Sequence, residues 1–340
     1  MSEWHERLWH PDTPAYRAAS LLLIPAELAY RAGVAARTWM YDRGVLTSLA
    51  AQIPALGVGN LTVGGTGKTP LTAWFAGALA ARGLAPAVVM RGYGGDEIEV
   101  HRLLNPAIPV HASPDRVAGV RRAAEHGANV VVLDDAFQHR ALKPDAHVVL
   151  VAAEEWSASP RLLPRGPWRE PLAALERAAL IVTTRKVATR AVARRVREQL
   201  AKLCLAAQTA EAYVGLAGLA RYDATRGSLD EPTPLTGFHG ALAVAGVARP
   251  EVVFRQLEEA GATLDERWGL PDHHRYSGKE IARISQRAGR GPLVATLKDA
   301  VKLGPVLGSA AELYVPLQRV DWESGSAAVD RLLLGLERQG

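Results

Sequence analysis

Asn60-Leu61-Thr62-Val63-Gly64-Gly65-Thr66-Gly67-Lys68-Thr69-Pro70 sets a lysine and a threonine behind a run of glycines. Such glycines let successive backbone N–H groups close on phosphate oxygens, and a helix starting there turns its positive end toward the same anion. Lys68 can reach the outer phosphates of a nucleotide, and the Thr69 hydroxyl can ligate Mg²⁺. Asn60, Thr62, Gly64, Gly65, Thr66, Gly67, Lys68 and Thr69 are therefore the candidate nucleotide-binding residues. The general phosphate-loop pattern asks for glycine where this chain has Thr62. A glycine-rich turn ahead of a chance lysine would read the same way. The flanks favour the loop, because 53–58 reads as a short buried strand and 71–81 as a helix.

A second group of acids follows. Val130-Val131-Val132-Leu133 runs directly into Asp134-Asp135, and a carboxylate at the end of a buried strand is where such sites hold Mg²⁺. A helix cap or turn is the structural alternative. Arg91-Gly92-Tyr93-Gly94-Gly95-Asp96-Glu97 also follows a strand and so belongs to the carboxyl edge, where α/β proteins bind ligands. Pro271-Asp272-His273-His274 reads as a surface turn, as a metal pair that lacks a third ligand, or as an Asp–His general base. The last is chemically the best of the three, since a carboxylate orients an imidazole and raises its basicity.

The elements that must position these residues follow from hydrophobic period. Strands are expected at 85–90, 107–111, 129–133, 147–152 and 180–184, with helices at 115–126 and 191–203 between them. Alternating strands and helices predict an α/β fold: a mostly parallel sheet of the P-loop NTPase type covered on both faces. Turn formers at 227–234 mark a boundary. Beyond it, strands at 241–247, 293–297 and 312–315 and a helix at 250–260 give a smaller α/β domain. The expected organisation is an N-terminal membrane-associated helical segment (1–45), a kinase-type domain (46–228) and a C-terminal domain (229–340).

The N-terminal stretch from Ala18 to Ala36 is apolar but interrupted by Pro25, Glu27 and Arg31. Arg17, Ser20, Glu27 and Arg31 fall on one polar stripe of a helix. That pattern suits a helix lying in a membrane interface better than one spanning it, with Trp4, Trp9 and Trp39 at headgroup level. An amphipathic helix packed on the domain is the alternative. No small-residue cleavage site follows, so it does not read as a signal peptide.

Composition excludes more than it selects. With 22% charged and 48% hydrophobic residues, the 340-residue chain reads as globular. A net charge of +5, without basic runs interleaved with aromatics, gives no footprint for nucleic acid, though it suits an anionic substrate or membrane face. The single Cys204 excludes an intramolecular disulfide and reads as a packing residue. A GTPase would carry Asn-Lys-x-Asp after a late strand, where this chain has Thr183-Thr184-Arg185-Lys186-Val187-Ala188. A nucleotide-switch ATPase often places a lysine early in the loop, where this chain has Leu61-Thr62-Val63-Gly64.

Taken in order, the loop of 60–70, Arg91-Gly92-Tyr93-Gly94-Gly95, Asp134-Asp135-Ala136-Phe137-Gln138-His139, Leu163-Pro164-Arg165-Gly166-Pro167-Trp168-Arg169-Glu170-Pro171, Asp272-His273-His274 and Thr296-Leu297-Lys298-Asp299-Ala300-Val301-Lys302 resemble the tetraacyldisaccharide 4'-kinases, the lipid A 4'-kinases of Gram-negative bacteria. The resemblance covers nearly the whole chain and includes the unusual Thr62. It implies ATP- and Mg²⁺-dependent transfer of the γ-phosphoryl group to the 4'-hydroxyl of a tetraacyl glucosamine disaccharide 1-phosphate, giving lipid IVA. It also implies a monomer at the cytoplasmic face of the inner membrane, with the acylated disaccharide as its lipid partner. By motif, Lys68 and Thr69 hold phosphate and Mg²⁺, Thr69, Asp134 and Asp135 surround the metal, and Lys68 and Asp135 join the catalytic set. Asp96 and His273 match the pair that activates the acceptor hydroxyl. Tyr93, Glu97, Arg116, His139, Arg169 and Glu170 lie in substrate- or nucleotide-contacting motifs. The chain departs from the family where the Gly-Asp-Glu segment fuses with Arg-Gly-Tyr-Gly-Gly, which leaves Asp115 as a weaker substitute for Asp96. Ala136-Phe137 and Leu297 also depart, replacing Gly-Leu and Glu. With Asp96 assigned to one domain and His273 to the other, domain closure is expected before chemistry.

Overall fold

The runs rich in valine, leucine and alanine become strands with no exposed face. Val130–Asp134 and Ala55–Asn60 are buried along their whole length, as a parallel sheet covered on both sides requires. The computed structural model describes Trp9 and residues 13–92, 95–308 and 311–338. Tyr93, Gly94 and Trp4 lie outside the described residues.

In chain order the elements are α1 (Pro14–Leu22), α2 (Ile24–Asp42), β1 (Leu49–Ala50), β2 (Ala55–Asn60), α3 (Lys68–Ala80), β3 (Pro86–Met90), α4 (Asp96–Leu104), β4 (Val110–Ala112), α5 (Arg116–Glu125), β5 (Val130–Asp134), β6 (Leu142–Lys143), β7 (Ala146–Ala152), β8 (Leu180–Arg185) and α6 (Arg190–Leu203). There follow β9 (Gln208–Asp223), β10 (Ser228–Leu229), β11 (Ala241–Gly246), α7 (Pro250–Glu259), β12 (Leu264–Leu270), α8 (Gly278–Ala288), β13 (Leu293–Ala295), α9 (Leu297–Leu307), β14 (Leu313–Ser324) and α10 (Ser326–Glu337). They form two compact units, and the chain passes between them four times. The first comprises 1–91, 111–212 and 322–340, and the second 92–110 and 213–321.

The first unit carries the order β8-β7-β2-β5-β3-β4, and the β2–β5, β2–β7, β3–β5 and β7–β8 pairs are all parallel. Val89, Val131 and Leu133 pack against Val120 and Ala123 of α5. By strand register Val149 and Ile181 point to the same face, where they pack with Val196 and Leu200 of α6. Cys204 is buried in that second cluster, as a packing residue should be. In the second unit β11 pairs in parallel with β12 and β13, and β13 with β14. Phe254 and Leu257 of α7 cover one side, and Ile284 of α8 with Ala300 and Leu303 of α9 cover the other.

The sequence boundaries differ from these units in three places: 213–228, expected in the kinase-type domain, belong to the second unit, 322–340, expected in the C-terminal domain, belong to the first, and the third bears on the site. Residues 92–110, expected in the kinase-type domain, belong to the second unit, because α4 packs against α9 there. The N-terminal apolar stretch is not one helix but two, bent by 45° at Leu23, where Pro25 follows. Among the described residues no single helix is long and apolar enough to cross a membrane, although the bent pair passes that test together. Only part of the polar stripe faces the protein: Ser20 and Glu27 are buried, whereas Arg17 and Arg31 are exposed, as are Leu21, Leu22, Leu28 and Trp39.

Candidate active site

Asn60, the last residue of β2, is wholly buried, and its side chain organises the glycine loop. Its amide donates to the Thr66 hydroxyl at 2.8 Å, and its carbonyl oxygen accepts from Lys68 Nζ at 3.2 Å and from Arg169 Nη2. The Thr66 carbonyl accepts the Thr184 hydroxyl at 2.9 Å, and Lys186 Nζ donates to the Gly65 carbonyl at 2.8 Å. Gly67 caps α3 in the left-handed region at φ 89°, so the helix begins at Lys68 rather than at Leu71. Thr69 is then its second residue, half-buried. Thr62 is buried and forms an antiparallel bridge with Trp168. That extended position suits a β-branched residue and accounts for threonine where the general pattern has glycine. Gly64 faces the Glu155 carboxylate.

The acidic pair reaches this loop through sheet register. Val58 of β2 aligns with Asp134 of β5, and a Cβ on Gly59 would lie 2.6 Å from the Phe137 Cβ, so the chain after β5 rests against bare backbone. Asp134 is buried; its Oδ1 accepts the Thr72 hydroxyl at 3.0 Å and the Asp135 N–H at 3.0 Å. Asp135 sits at φ 47°, outside the usual range for an L-residue, with a half-exposed carboxylate. Arg169 forks onto both of its oxygens, at 3.2 and 3.0 Å, and Lys68 approaches at 3.7 Å. Burial opposes the charged form of Asp135, but Lys68 and then Arg169 outweigh it and hold the carboxyl down at about 2.

The flanking candidates brace this cluster. Gln138 donates to the Asn60 carbonyl at 2.9 Å and to Glu170 at 3.0 Å, while Arg177 pairs with Glu170 at 2.7 Å. Glu170 is therefore buried among protein partners. Arg116 is also buried and donates to the main-chain carbonyls of Ser113 at 3.0 Å and Asp134 at 3.2 Å, beneath the strand end. His139 is half-buried; burial first, then the Arg116 charge, push its basicity down.

Helix α2 reaches the same loops. Tyr30 donates to the Arg169 carbonyl at 3.0 Å and Arg37 to the Gln138 carbonyl at 2.7 Å. Glu27 accepts the Leu162 N–H at 2.9 Å and pairs with Arg165 at 3.1 Å. Burial opposes its ionisation, but those partners lower its pKa on balance.

In the second unit Asp96 and Glu97 open α4, where a helix N-terminus favours carboxylates. Asp96 is buried and paired with Lys302 at 3.0 Å, and Glu97 is paired with Lys298 at 2.9 Å. His273 is half-exposed, at φ 58°, with Nδ1 3.9 Å from Asp96 Oδ2 and Nε2 3.9 Å from Asp272 Oδ2. Asp96 and His273 thus belong to one unit, which corrects their assignment to separate domains and removes the need for closure to assemble the pair. His274 bonds Glu280 at 3.1 Å instead. Asp135 and His273 are the only non-glycine residues with positive φ among the described residues, and both were singled out for chemistry.

Thr72, Gln138, Lys186, Lys298 and Lys302 were not singled out by sequence. Helical spacing was the available signal for two of them: Thr72 follows Lys68 by four residues, and Lys302 follows Lys298 by four. Among the described residues no cluster of three His, Cys, Asp or Glu forms a metal cage. The Thr69 hydroxyl and the Asp134 and Asp135 carboxylates are oxygen donors of the type that could hold Mg²⁺ together with a phosphate, and Asp135 already draws two cationic side chains.

Buried parallel strands that lead into a glycine loop with its lysine and into two carboxylates, with an arginine beside them, suit a phosphate-handling enzyme of the α/β class. The family model for tetraacyldisaccharide-1-P 4'-kinase matches residues 19–336. A protein named tetraacyldisaccharide 4'-kinase from Anaeromyxobacter sp. (strain K) is 38% identical, over 94% of this chain and 91% of its own. One of the same name from Halorhodospira halophila is 34% identical, over 94% of each. A crystal structure of LpxK from Aquifex aeolicus in complex with ATP superposes with a TM-score of 0.73 at 24% identity, covering 94% of this chain and 99% of that one, a likeness of fold. The chain belongs to the tetraacyldisaccharide-1-P 4'-kinase family.

Proposed function

We propose that this chain transfers the γ-phosphoryl group of ATP to the 4'-hydroxyl of a tetraacyl glucosamine disaccharide 1-phosphate, giving lipid IVA, at the cytoplasmic surface of the inner membrane. The cluster of Lys68, Asp135, Arg169 and Asn60 at the glycine loop carries the reading. Phosphoryl transfer is mostly positioning and charge neutralisation, and this cluster places two cations beside a loop built for phosphate oxygens. Thr69, Asp134 and Asp135 would hold Mg²⁺, which when bound neutralises phosphate charge. Lys68 takes the outer phosphates, and Arg169 stays locked to Asp135 until a nucleotide competes for it. His273 accepts the hydroxyl proton and Asp96 orients its ring, a contribution typically worth about 10²–10⁴-fold. Glu97 and His139 remain candidate substrate contacts, and Tyr93 keeps that role on sequence grounds alone.

Membrane association is supported by the outward Leu21, Leu22, Leu28 and Trp39 on the helix pair that buries Ser20 and Glu27 and leaves Arg17 and Arg31 exposed. An acceptor with four acyl chains costs about 0.8 kcal/mol per exposed CH₂ to extract, so a surface-bound monomer avoids a large term. The test supplies purified full-length protein with γ-labelled ATP, Mg²⁺ and the disaccharide in mixed micelles. A labelled glycolipid that carries phosphate at the 4' position is expected. ATP hydrolysis without labelled lipid would refute the acceptor assignment, and neither product would refute the kinase site.

A further inference from the structure

We propose that Lys302 is a positioning residue for the proton-accepting pair, a single ammonium that fixes the Asp96 carboxylate and the turn that carries His273. The inference rests on the Asp96–His273 reading above and adds to it a third group.

Lys302 Nζ forms an ion pair with Asp96 Oδ2 at 3.0 Å and donates a hydrogen bond to the main-chain carbonyl of His274 at 3.4 Å. One ammonium therefore touches both segments, the start of α4 and the turn between β12 and α8. His273 Nδ1 approaches that same Oδ2 at 3.9 Å. Lys298, one turn earlier on the same face of α9, grips Glu97 at 2.9 Å, so α9 holds the first two residues of α4 by two ion pairs.

Two physical needs are met at once. The Asp96 side chain is only 4% exposed. A buried carboxylate without a cation takes up a proton or draws one onto its neighbour, and either outcome spoils a pair that must receive a proton during the reaction. Lys302 sets a cationic side chain directly against that carboxylate. The second need is conformational. His273 sits at φ 58°, a backbone state that persists only where its surroundings enforce it. The His273 N–H is tied to Asp272 at 3.0 Å and the His274 N–H to the Pro271 carbonyl at 3.1 Å, and Lys302 closes the turn from its other side.

The experiment compares Lys302→Met, Lys302→Arg, Asp96→Asn and the Lys302→Met/Asp96→Asn double variant in the full-length enzyme. Circular dichroism checks each fold, and kcat and KM are measured for ATP and the lipid acceptor. Lys302→Met should lower kcat by about 10²-fold, within the range of general-base help, with KM for ATP changed less than twofold. Lys302→Arg should recover kcat to within about tenfold of wild type, since it keeps the charge but not the shape. The double variant should be no slower than Asp96→Asn alone, because both changes disable one unit. Normal kcat in a folded Lys302→Met protein would overturn the inference, as would losses that multiply in the double variant. Wild-type turnover by Asp96→Asn would sink the underlying pair, and Lys302 with it; that result is distinguishable because it appears without touching the lysine.

Discussion

Removing residues 1–40 should do more than release the protein from membranes. Helix α2 is bonded to the two loops that carry Arg169 and Gln138, through Tyr30 at 3.0 Å and Arg37 at 2.7 Å. Both loops in turn bond Asn60. Each hydrogen bond of this kind is worth about 1 kcal/mol net, so losing both is worth about 2 kcal/mol. If that cost falls on the ordering of the nucleotide loop, ATP affinity drops by about 30-fold, since about 1.4 kcal/mol is a factor of ten. Loss of Glu27 removes a buried acceptor for the Leu162 N–H and a partner for Arg165, which adds instability without touching the nucleotide directly. The assay pairs vesicle flotation with calorimetric titration of ATP. A second variant, with Leu21, Leu22, Leu28 and Trp39 made polar, separates the two effects: it should leave vesicles yet bind ATP normally, because those side chains point away from the protein. A folded truncation that binds ATP with wild-type affinity would show that α2 does not order the nucleotide loop.

Arg169→Lys should lower kcat by about 10- to 100-fold, because lysine cannot fork onto both Asp135 oxygens; the charge-assisted bonds are worth about 1.5–3 kcal/mol before discounting for partial exposure. Steady-state kinetics within twofold of wild type would show the fork to be dispensable. Asp299→Ala should cost about 3–5 kcal/mol, read as a lower urea midpoint, since it strands the Gly246 N–H and the Tyr276 and Thr296 hydroxyls, at about 1–3 kcal/mol for each unsatisfied donor. Burial, then Arg177 and Arg140, push the His147 pKa from 6.5 to about 4. The unfolded chain therefore binds the extra proton between those values, and stability should fall as pH drops from 6.5 toward 4, by about 3 kcal/mol for this group. Denaturation midpoints of His147→Asn should show a shallower decline over the same window, and parallel curves would refute that assignment.

How far the sequence could be read depended on where each signal was stored. The glycine loop was legible because its chemistry is contiguous: a buried strand, a left-handed glycine and a helix start lie within one stretch of chain, and the same stretch holds Asn60, Thr66 and Lys68 in bonding distance. The carboxylates after β5 were legible for the same reason, since strand register alone delivers them. Helices α8 and α9 were overlooked although their signals were local. Ser277 and Glu280 form a complete capping box, and Thr296 caps α9 through Asp299. A search for caps, rather than for apolar period alone, would have found both. Strand β9 was harder, because glycine and alanine dominate it and dilute the β-branched signal.

Asp96 belongs to a different kind of problem. Nothing in Gly95-Asp96-Glu97 states that it leaves the sheet just traversed; that follows from two lysines two hundred residues later, spaced one helical turn apart. Lys298 and Lys302 could be seen in sequence as one face of a helix, but their acidic partners could be found only once α4 was laid beside α9. The juxtaposition of Asp96 and His273 is therefore a tertiary product. The fused loop before Asp96 does not displace it from that pair, because its position is fixed by the ion pair behind it and not by the length of the chain in front. A variant that lengthens the loop between Gly92 and Gly95 should accordingly leave turnover within a few fold, whereas one that removes the ammonium behind Asp96 should not.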